Sequence, residues 1–372
     1  MKFGERERFL ISPFLVFFTI HCSQVGVGIL SLPNRINEKV GHDGWISVAL
    51  AGGVVHLLIW MIYKIFNDQE INMIDVNTRY FGQWIGTMLN IALLTYFFLF
   101  ALIVLRTYVE IIKVWVFPLM GAWQFCLILL VMTYYTVSGG FRVVAGLCFW
   151  GVVIPISTIF PMLFFPLEYA HYRNLLPVFD HSVVEILKGA KGVTFEYLGF
   201  EMILIYYSFI KHPAHSHKWA QWANALTTFI YLVVVLIATV FYNEEQIRHV
   251  IWPTLTLAKI PEIPFIERME YIVISIYVLV IFPIICLATW SVTYGLKRMF
   301  ALKQKFTLPV IVSLLFIASV SLDKREHIQQ LGTLVSTVGF YVLMGYIPTI
   351  YCITFFVRKL KSKGRVVRKE EV

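Results

Sequence analysis

Two glycines lie two residues apart, Gly26 and Gly28, in the middle of the apolar stretch QVGVGILSLP at residues 24–33. Each lowers helix stability by roughly 1 kcal/mol relative to alanine. Glycine also admits backbone angles that open a helix. An opened helix exposes N–H and C=O groups, and at mid-membrane these can bind a carboxylate, an amine or an ion. Close helix packing through small residues is the competing explanation. A second interruption lies in KGVTFEYLGFEMILIYY, residues 191–207, where Gly199 sits between Leu198 and Phe200, with Glu196 and Glu201 on either side. Paired interruptions at corresponding positions of two halves are the best sequence pointer to a transporter-type binding site. The pair shifts the balance from packing toward ligand binding.

Ionisable residues within apolar stretches come next. Arg106 and Glu110, in LRTYVEIIK, are four apart. They share one helix face and could pair. A charge inside a span is costly and is a functional candidate by default. For Glu110, snorkelling at the membrane interface alongside Lys113 is the alternative. Glu196 is expected at the interface near the outer end of its span, and Glu201, just past the break, is expected to face inward. His212, His215 and His217 share a short hydrophilic turn with Pro213. That turn offers no Cys or carboxylate to complete a metal site. Cys22, Cys126, Cys148, Cys286 and Cys352 all fall in apolar blocks without paired spacing. They read as packing residues and imply neither disulfide nor metal. No cofactor is expected. Nucleophile-elbow, phosphate-loop and zinc-protease signatures are absent, so no enzyme is expected. An ATP-driven pump would need a soluble nucleotide domain, and no loop is long enough to be one.

The elements that must position these residues are membrane helices. Of 372 residues, 59% are apolar or aromatic and 14% charged, against about 25% charged in soluble domains. Mean hydropathy is +0.75. The apolar residues form blocks long enough for helices, since a bilayer core takes roughly 20 helical residues. Alternating strands of a barrel are not seen. The spans are expected at 10–32, 43–65, 84–112, 121–137, 141–167, 191–211, 219–242, 269–296, 306–321 and 333–357. The third and eighth are long, which implies tilt. The first block exceeds a signal-peptide core and lacks a small-residue cleavage site. If spans one to five and six to ten form two halves, both begin with a glycine-interrupted helix.

The net charge of +9 reflects topology rather than nucleic-acid binding. With the N-terminus in the cytoplasm, inside segments hold 19 basic residues and outside segments 11, seven of the former between Arg358 and Lys369. The positive-inside rule then places both termini in the cytoplasm. The basic tail, 358–372, is expected to be disordered and near anionic lipid. Two loops, 168–190 and 243–268, exceed a simple connection. The second carries Pro253, Pro261 and Pro264, which break it into short pieces and suggest a hairpin dipping partly into the membrane.

Taken in order, these residues resemble B-type subunits of endospore germinant receptors, an endospore germination permease family within the amino acid–polyamine–organocation superfamily. The matching elements are VGVGILSLP, the Arg106–Glu110 pair, Tyr197-Leu198-Gly199-Phe200-Glu201, the segment from Pro253 through Arg268, and YGLKRMF. They span the whole chain. The resemblance implies an all-α membrane protein of about ten transmembrane helices, a five-plus-five inverted repeat with broken first and sixth helices. It would be one permease-like domain with halves at about 10–167 and 191–357. It implies recognition of a small nutrient germinant, often an amino acid, in a complex with an A-type and a lipoprotein C-type subunit. It carries Gly26, Val27, Gly28 and Ile29, with Leu198, Gly199 and Phe200, onto the ligand site, and the Val25 side chain is expected to help shape the pocket. Leu102, Arg106, Phe282 and Cys286 are pocket candidates by depth only. Arg106, Glu110 and Glu201 are assigned to coupling. The rival reading is a secondary amino acid transporter.

Overall fold

The computed structural model describes residues 9–67, 71–261 and 268–370, with side chains as far as residue 360. Regular structure among the described residues is helical, and one isolated bridge joins Ile11 to Ile210. Seven stretches are long and apolar enough to cross a membrane. Three shorter apolar helices, Leu15–Gln24, Ala122–Ser138 and Phe200–Phe209, bring the described segments to ten.

The first span is two pieces, Leu15–Gln24 and Leu32–Val40, joined through a 3-10 turn at Val27–Leu30. The second is Gly44–Phe66, the fourth Ala122–Ser138 and the fifth Phe141–Met162. The sixth begins at Val183, ahead of its expected start, because Ser182 and Glu185 form a capping box. The S-x-x-E spacing carries that signal in the sequence. After Thr194 the sixth span breaks into short turns, Phe195–Tyr197 and Phe200–Met202, before Ile203–Tyr206. The seventh is His217–Phe241, the eighth Met269–Phe300 and the ninth Gln304–Ser321. The tenth runs from Arg325, widens at Val342–Tyr346, and continues as Ile347–Glu370. The tail is therefore helical to Glu370 rather than disordered. Its residues 358–370 include one glycine and no proline, and Lys and Arg sustain a helix well. Arg358 donates to the carbonyls of Lys64 and Ile65 at the end of the second span, at 2.7 and 2.5 Å.

Burial ranks the helices. The membrane window of the eighth span is 72% buried, those of the ninth and tenth 22%. The eighth is the axle of the bundle and packs on the third and fifth spans. The third helix, Met73–Trp115, is longer than expected because it contains a reversal at Gly82, φ 75°. Residues before the reversal double back onto the span. A Cβ on Gly86 would overlap the backbone of Asn77 and Thr78. Asn77 donates to Asn90 at 2.7 Å and accepts from Tyr346 of the tenth span at 2.8 Å. Of the two long loops, the second enters the bundle at residues 253–257. Its helix Pro253–Leu257 buries Thr254 and Leu255 against the first span. Pro264, together with Glu262 and Glu267, lies outside the described residues.

Gly86→Leu is expected to unfold the detergent-solubilised protein or lower its melting temperature sharply, because backbone cannot yield. Gly53, whose Cβ would meet nothing within 4 Å, supplies the control. Gly53→Leu should elute and melt like the parent in fluorescence-detected gel filtration, and equal behaviour of the two variants would remove the reversal from the fold.

Candidate functional site

The two interrupted spans meet at their breaks. Gly199 holds φ 119°, a conformation that an L side chain rarely adopts. A Cβ there would also overlap the carbonyl of Ser23, in the last turn before the first break. Gly28 is flush against the sixth span, and a Cβ on it would fall on the Glu196 carboxylate. The same two glycines that open the helices therefore also let them touch.

Opening a helix in hydrocarbon leaves carbonyl and N–H groups without water. Here other helices supply most of the missing partners. The Tyr231 hydroxyl lies 2.9 Å from the carbonyl of Gln24 and 2.8 Å from that of Glu196. Its single proton is shared between one carbonyl of each broken span. Tyr277 of the eighth span donates to the Gly26 carbonyl at 2.6 Å. Thr254 of the inserted loop donates to Ile29 at 2.9 Å. The Ser31 hydroxyl adds a bond to Gly28 at 3.3 Å. In the sixth span Glu201, fully buried, accepts the Gly199 N–H at 2.8 Å and the Tyr96 hydroxyl at 2.5 Å. The N–H groups of Val27 and Gly28, at the start of the 3-10 turn, have no acceptor within that turn.

A polar chain backs the first break. His21 Nδ1 is 2.8 Å from Thr227, Thr227 is 2.8 Å from the Gln24 side-chain oxygen, and the Gln24 amide donates to Asn224 at 3.0 Å. Asn224 in turn donates to the Gly52 carbonyl of the second span at 3.0 Å. These residues fix one face of the seventh span against spans one and two.

Two cavities adjoin the site. One, of about 80 Å³, is lined by Val25, Ile29 and Leu30 of the break, His21, residues of the fifth span, Thr254 and Tyr277. That is well below the ~300–1,000 Å³ of a typical small-molecule pocket. The other, about 200 Å³, lies between the second half of the first span and the approach to the break in the sixth. Arg35, Glu38, Lys39 and Glu196 line it. Arg35 pairs with Glu196 at 2.8 Å, the arginine exposed and the carboxylate buried.

Several placements differ from expectation. Glu196 is not at the lipid interface. It is 8% exposed and fills the space at Gly28. Arg106 and Glu110 form no ion pair among the described residues. Arg106, 1% exposed, donates through Nε and Nη2 to the Leu322 carbonyl, at 3.1 and 2.5 Å, where the ninth helix ends. Helical spacing brings the pair within reach, but the guanidinium turns to the C-terminus of the ninth helix, whose partial negative charge favours a cation. Val25 and Ile29 line the smaller cavity, whereas Leu198, Gly199 and Phe200 are buried at the junction of the two breaks. Leu102 and Phe282 are buried core residues that line neither cavity. Gly26 is met by Tyr277 and Ile284, and Phe282 stands about 140° around the helix from Tyr277. Cys286 faces Thr133 of the fourth span. Glu196, Arg35, Tyr231, Tyr277, Thr254 and Tyr96 were not singled out from sequence as partners of the breaks.

Comparison with known proteins gives a consistent answer. The family described as "Spore germination protein" matches residues 10–328. The spore germination protein GerQB of Bacillus cereus is 42% identical over 343 residues, covering 92% of this chain and 95% of the relative. The spore germination proteins YndE and A2 of Bacillus subtilis are 23% and 22% identical, each alignment covering at least 91% of both chains. Among solved structures, a Na+-coupled sialic acid symporter in its substrate-bound outward-open state matches with TM-score 0.61 at 10% identity, over 92% of this chain and 76% of the symporter. A nucleobase-cation-symport-1 family transporter, in a closed conformation with bromovinylhydantoin bound, matches with TM-score 0.60 at 13% identity, over 90% and 78%. At such identity the likeness establishes the fold, a five-plus-five helical bundle with broken first and sixth helices.

Replacing Tyr231 by phenylalanine is expected to leave the Gln24 and Glu196 carbonyls short of a donor. Each orphaned group costs about 1–3 kcal/mol, so a fall in melting temperature of several degrees is expected in detergent. Tyr294→Phe, away from the breaks, is the control. A Tyr231→Phe protein as stable as the parent would show that the hydroxyl does not hold the breaks together.

Proposed function

The chain belongs to the family of spore germination proteins, and from that premise we propose that it is the permease-like, germinant-sensing membrane subunit of a spore nutrient receptor. It acts in the spore inner membrane with both termini cytoplasmic, beside an A-type subunit and a lipoprotein C-type subunit. Its halves, about 10–167 and 191–357, meet at the breaks, and the basic tail lies near anionic lipid.

One observation carries the reading. The carboxylate of Glu196 rests against Gly28 in the opened first span while it is ion-paired to Arg35. A small amino acid carries the same two charges. Its ammonium can replace Arg35 beside Glu196, and its carboxylate can take Arg35 and the N–H groups of Val27 and Gly28, which have no acceptor within their turn. Binding is then an exchange of an internal ion pair for a ligand. Val25, Gly26, Ile29, Leu198, Gly199 and Phe200 shape the apolar remainder of the site, which favours a small apolar side chain. The ligand shifts the protein between two conformations only by its differential affinity for them. Separating Glu196 from Gly28 moves the Tyr231 contact between the breaks. Glu201, through Tyr96, and Arg106, through the ninth helix, pass the change to the third and ninth spans, with Glu110 on the same helix as Arg106.

Secondary transport of an amino acid is the second reading, favoured by the symporter fold. Uptake of labelled amino acid by proteoliposomes holding this chain alone would support it. Ligand binding without flux supports sensing.

Gly28→Ala should abolish germination, or shift the germinant concentration needed by at least ~10-fold, equivalent to about 1.4 kcal/mol, with normal amounts of protein in the membrane. Adding Glu196→Ala makes room for the new methyl but removes the ammonium partner, so it should not restore the response. An unchanged concentration dependence in Gly28→Ala spores would remove the site from the breaks. Glu110→Gln spores are expected to bind germinant but respond weakly, and normal germination would take Glu110 out of coupling.

A further inference from the structure

A second polar cluster lies on the face opposite the termini. Gly41, at φ 45°, reverses the chain between the first and second spans, and His42 and Asp43 follow it. A Cβ on Gly41 would meet Glu244 and His181. His181 comes from the connection ahead of the sixth span, and Glu244 from the loop after the seventh. Three separate connections therefore converge on one turn.

The contacts within the cluster are ordered. Asp43 is fully buried and accepts the backbone N–H groups of Phe179 and His181 at 2.9 and 3.1 Å. Its Oδ2 is also 3.2 Å from His181 Nδ1. His42 Nδ1 is 3.2 Å from Glu244 Oε1. For His42 this is the contact that, in metal sites, orients the ring and leaves the other nitrogen as the lone-pair donor, while His181 Nδ1 and Asp43 Oδ2 lie close enough to share an ion. Nε2 of His42 is buried and has no hydrogen-bond partner among the described residues, and the residue is only 8% exposed. A buried polar atom without a partner calls for an explanation.

His42, Asp43 and His181 each offer one ligand atom, and these atoms all lie within 4.8 Å of one another. Ligand atoms about 2.0–2.1 Å from a tetrahedral zinc lie ~3.4 Å apart. The cluster must contract somewhat to hold an ion, and His181, whose side chain is 24% exposed, has room to move. Two imidazoles and one carboxylate suit a borderline divalent ion. Calcium and magnesium demand an oxygen set that is not present.

We propose that His42, Asp43 and His181 form a binding site for a divalent transition-metal ion of the zinc class, with water as a further ligand. The ion clamps the end of the broken first span to the approach to the broken sixth. Neutral links run alongside it: Asn34 donates to the Ile247 carbonyl at 2.8 Å and Asn37 to that of Glu244 at 3.3 Å. The helix Leu32–Val40 joins this cluster to the glycine break, so a clamp here biases how freely the first span can move away from the sixth.

The test uses the full chain, purified in detergent with a tag free of histidine, stripped with chelator and titrated with zinc chloride alone. About one zinc per chain is expected to remain after gel filtration, measured by elemental mass spectrometry, and magnesium should not compete. His181→Gln, at a partly exposed position, should bind at least ~10-fold more weakly while eluting as the parent does, and His42→Ala should do the same. A variant lacking His212, His215 and His217 should bind like the parent. Zinc retention in the His42→Ala/His181→Gln double variant equal to the parent's would overturn the proposal. So would a loss of zinc confined to the variant without His212, His215 and His217.

Discussion

A helix opened inside a bilayer must find new partners for its backbone, and this protein is arranged around two such openings. Hydrocarbon offers no hydrogen bonds, so freed backbone groups draw partners from elsewhere in the chain. Tyr231 serves both breaks, Tyr277 and Thr254 serve the first, and Glu201 with Tyr96 serves the second. These residues come from the third, sixth, seventh and eighth spans and from a loop. Their positions follow from the breaks. The helix Pro253–Leu257 enters the bundle with Thr254 bonded to Ile29, and the eighth span occupies the centre with Tyr277 directed at Gly26.

The same constraint explains why glycine stands at the contact points. Gly199 combines a positive φ with contact against Ser23, and Gly28 admits the Glu196 carboxylate. A buried carboxylate is costly unless it is paired. Glu196 finds Arg35 at the mouth of a polar cavity, and Glu201 finds a hydroxyl and a backbone N–H. One acid is therefore tied to a cation that solvent can reach, while the other is tied to the interior. Only the first has a partner that a ligand arriving from the cavity could displace.

Much of the architecture was legible in sequence because the bilayer imposes it locally. Ten apolar blocks give ten helical segments, and the glycines at 26, 28 and 199 mark where two of them open. Local signals stop at the element. The Arg106–Glu110 pairing follows correctly from i,i+4 spacing, yet the buried guanidinium took the end of a helix more than 200 residues away. Depth alone selected Phe282, but depth says nothing about which side of the eighth span faces the break. Tyr231 and Arg35 carry no mark of their own in a single sequence, since the groups they join are distant along the chain; Glu196 stands out as a charge beside the break, but its partners do not. The capping box at Ser182 and Glu185 was readable, and it places the start of the sixth helix before the expected boundary. The approach of His42 and Asp43 to His181 spans about 140 positions and has no motif spacing to reveal it.

The distinction between moving a ligand and sensing one rests on what the ion pair costs to open. A transporter must make both sides of its site accessible in turn, so contacts that close one side have to be weak enough to break in each cycle. Here the side opposite the termini is closed by the Arg35–Glu196 pair, by Asn34 and Asn37 on the loop after the seventh span, and by the cluster at Gly41. The cavity beside the break holds about 80 Å³, so a ligand has to separate these elements to enter. A protein that opens seldom, and reports the opening to its neighbours, needs such a lock more than a protein that cycles. The shared hydroxyl of Tyr231 makes the report immediate, because the contact between the two breaks cannot be lost without disturbing the seventh span.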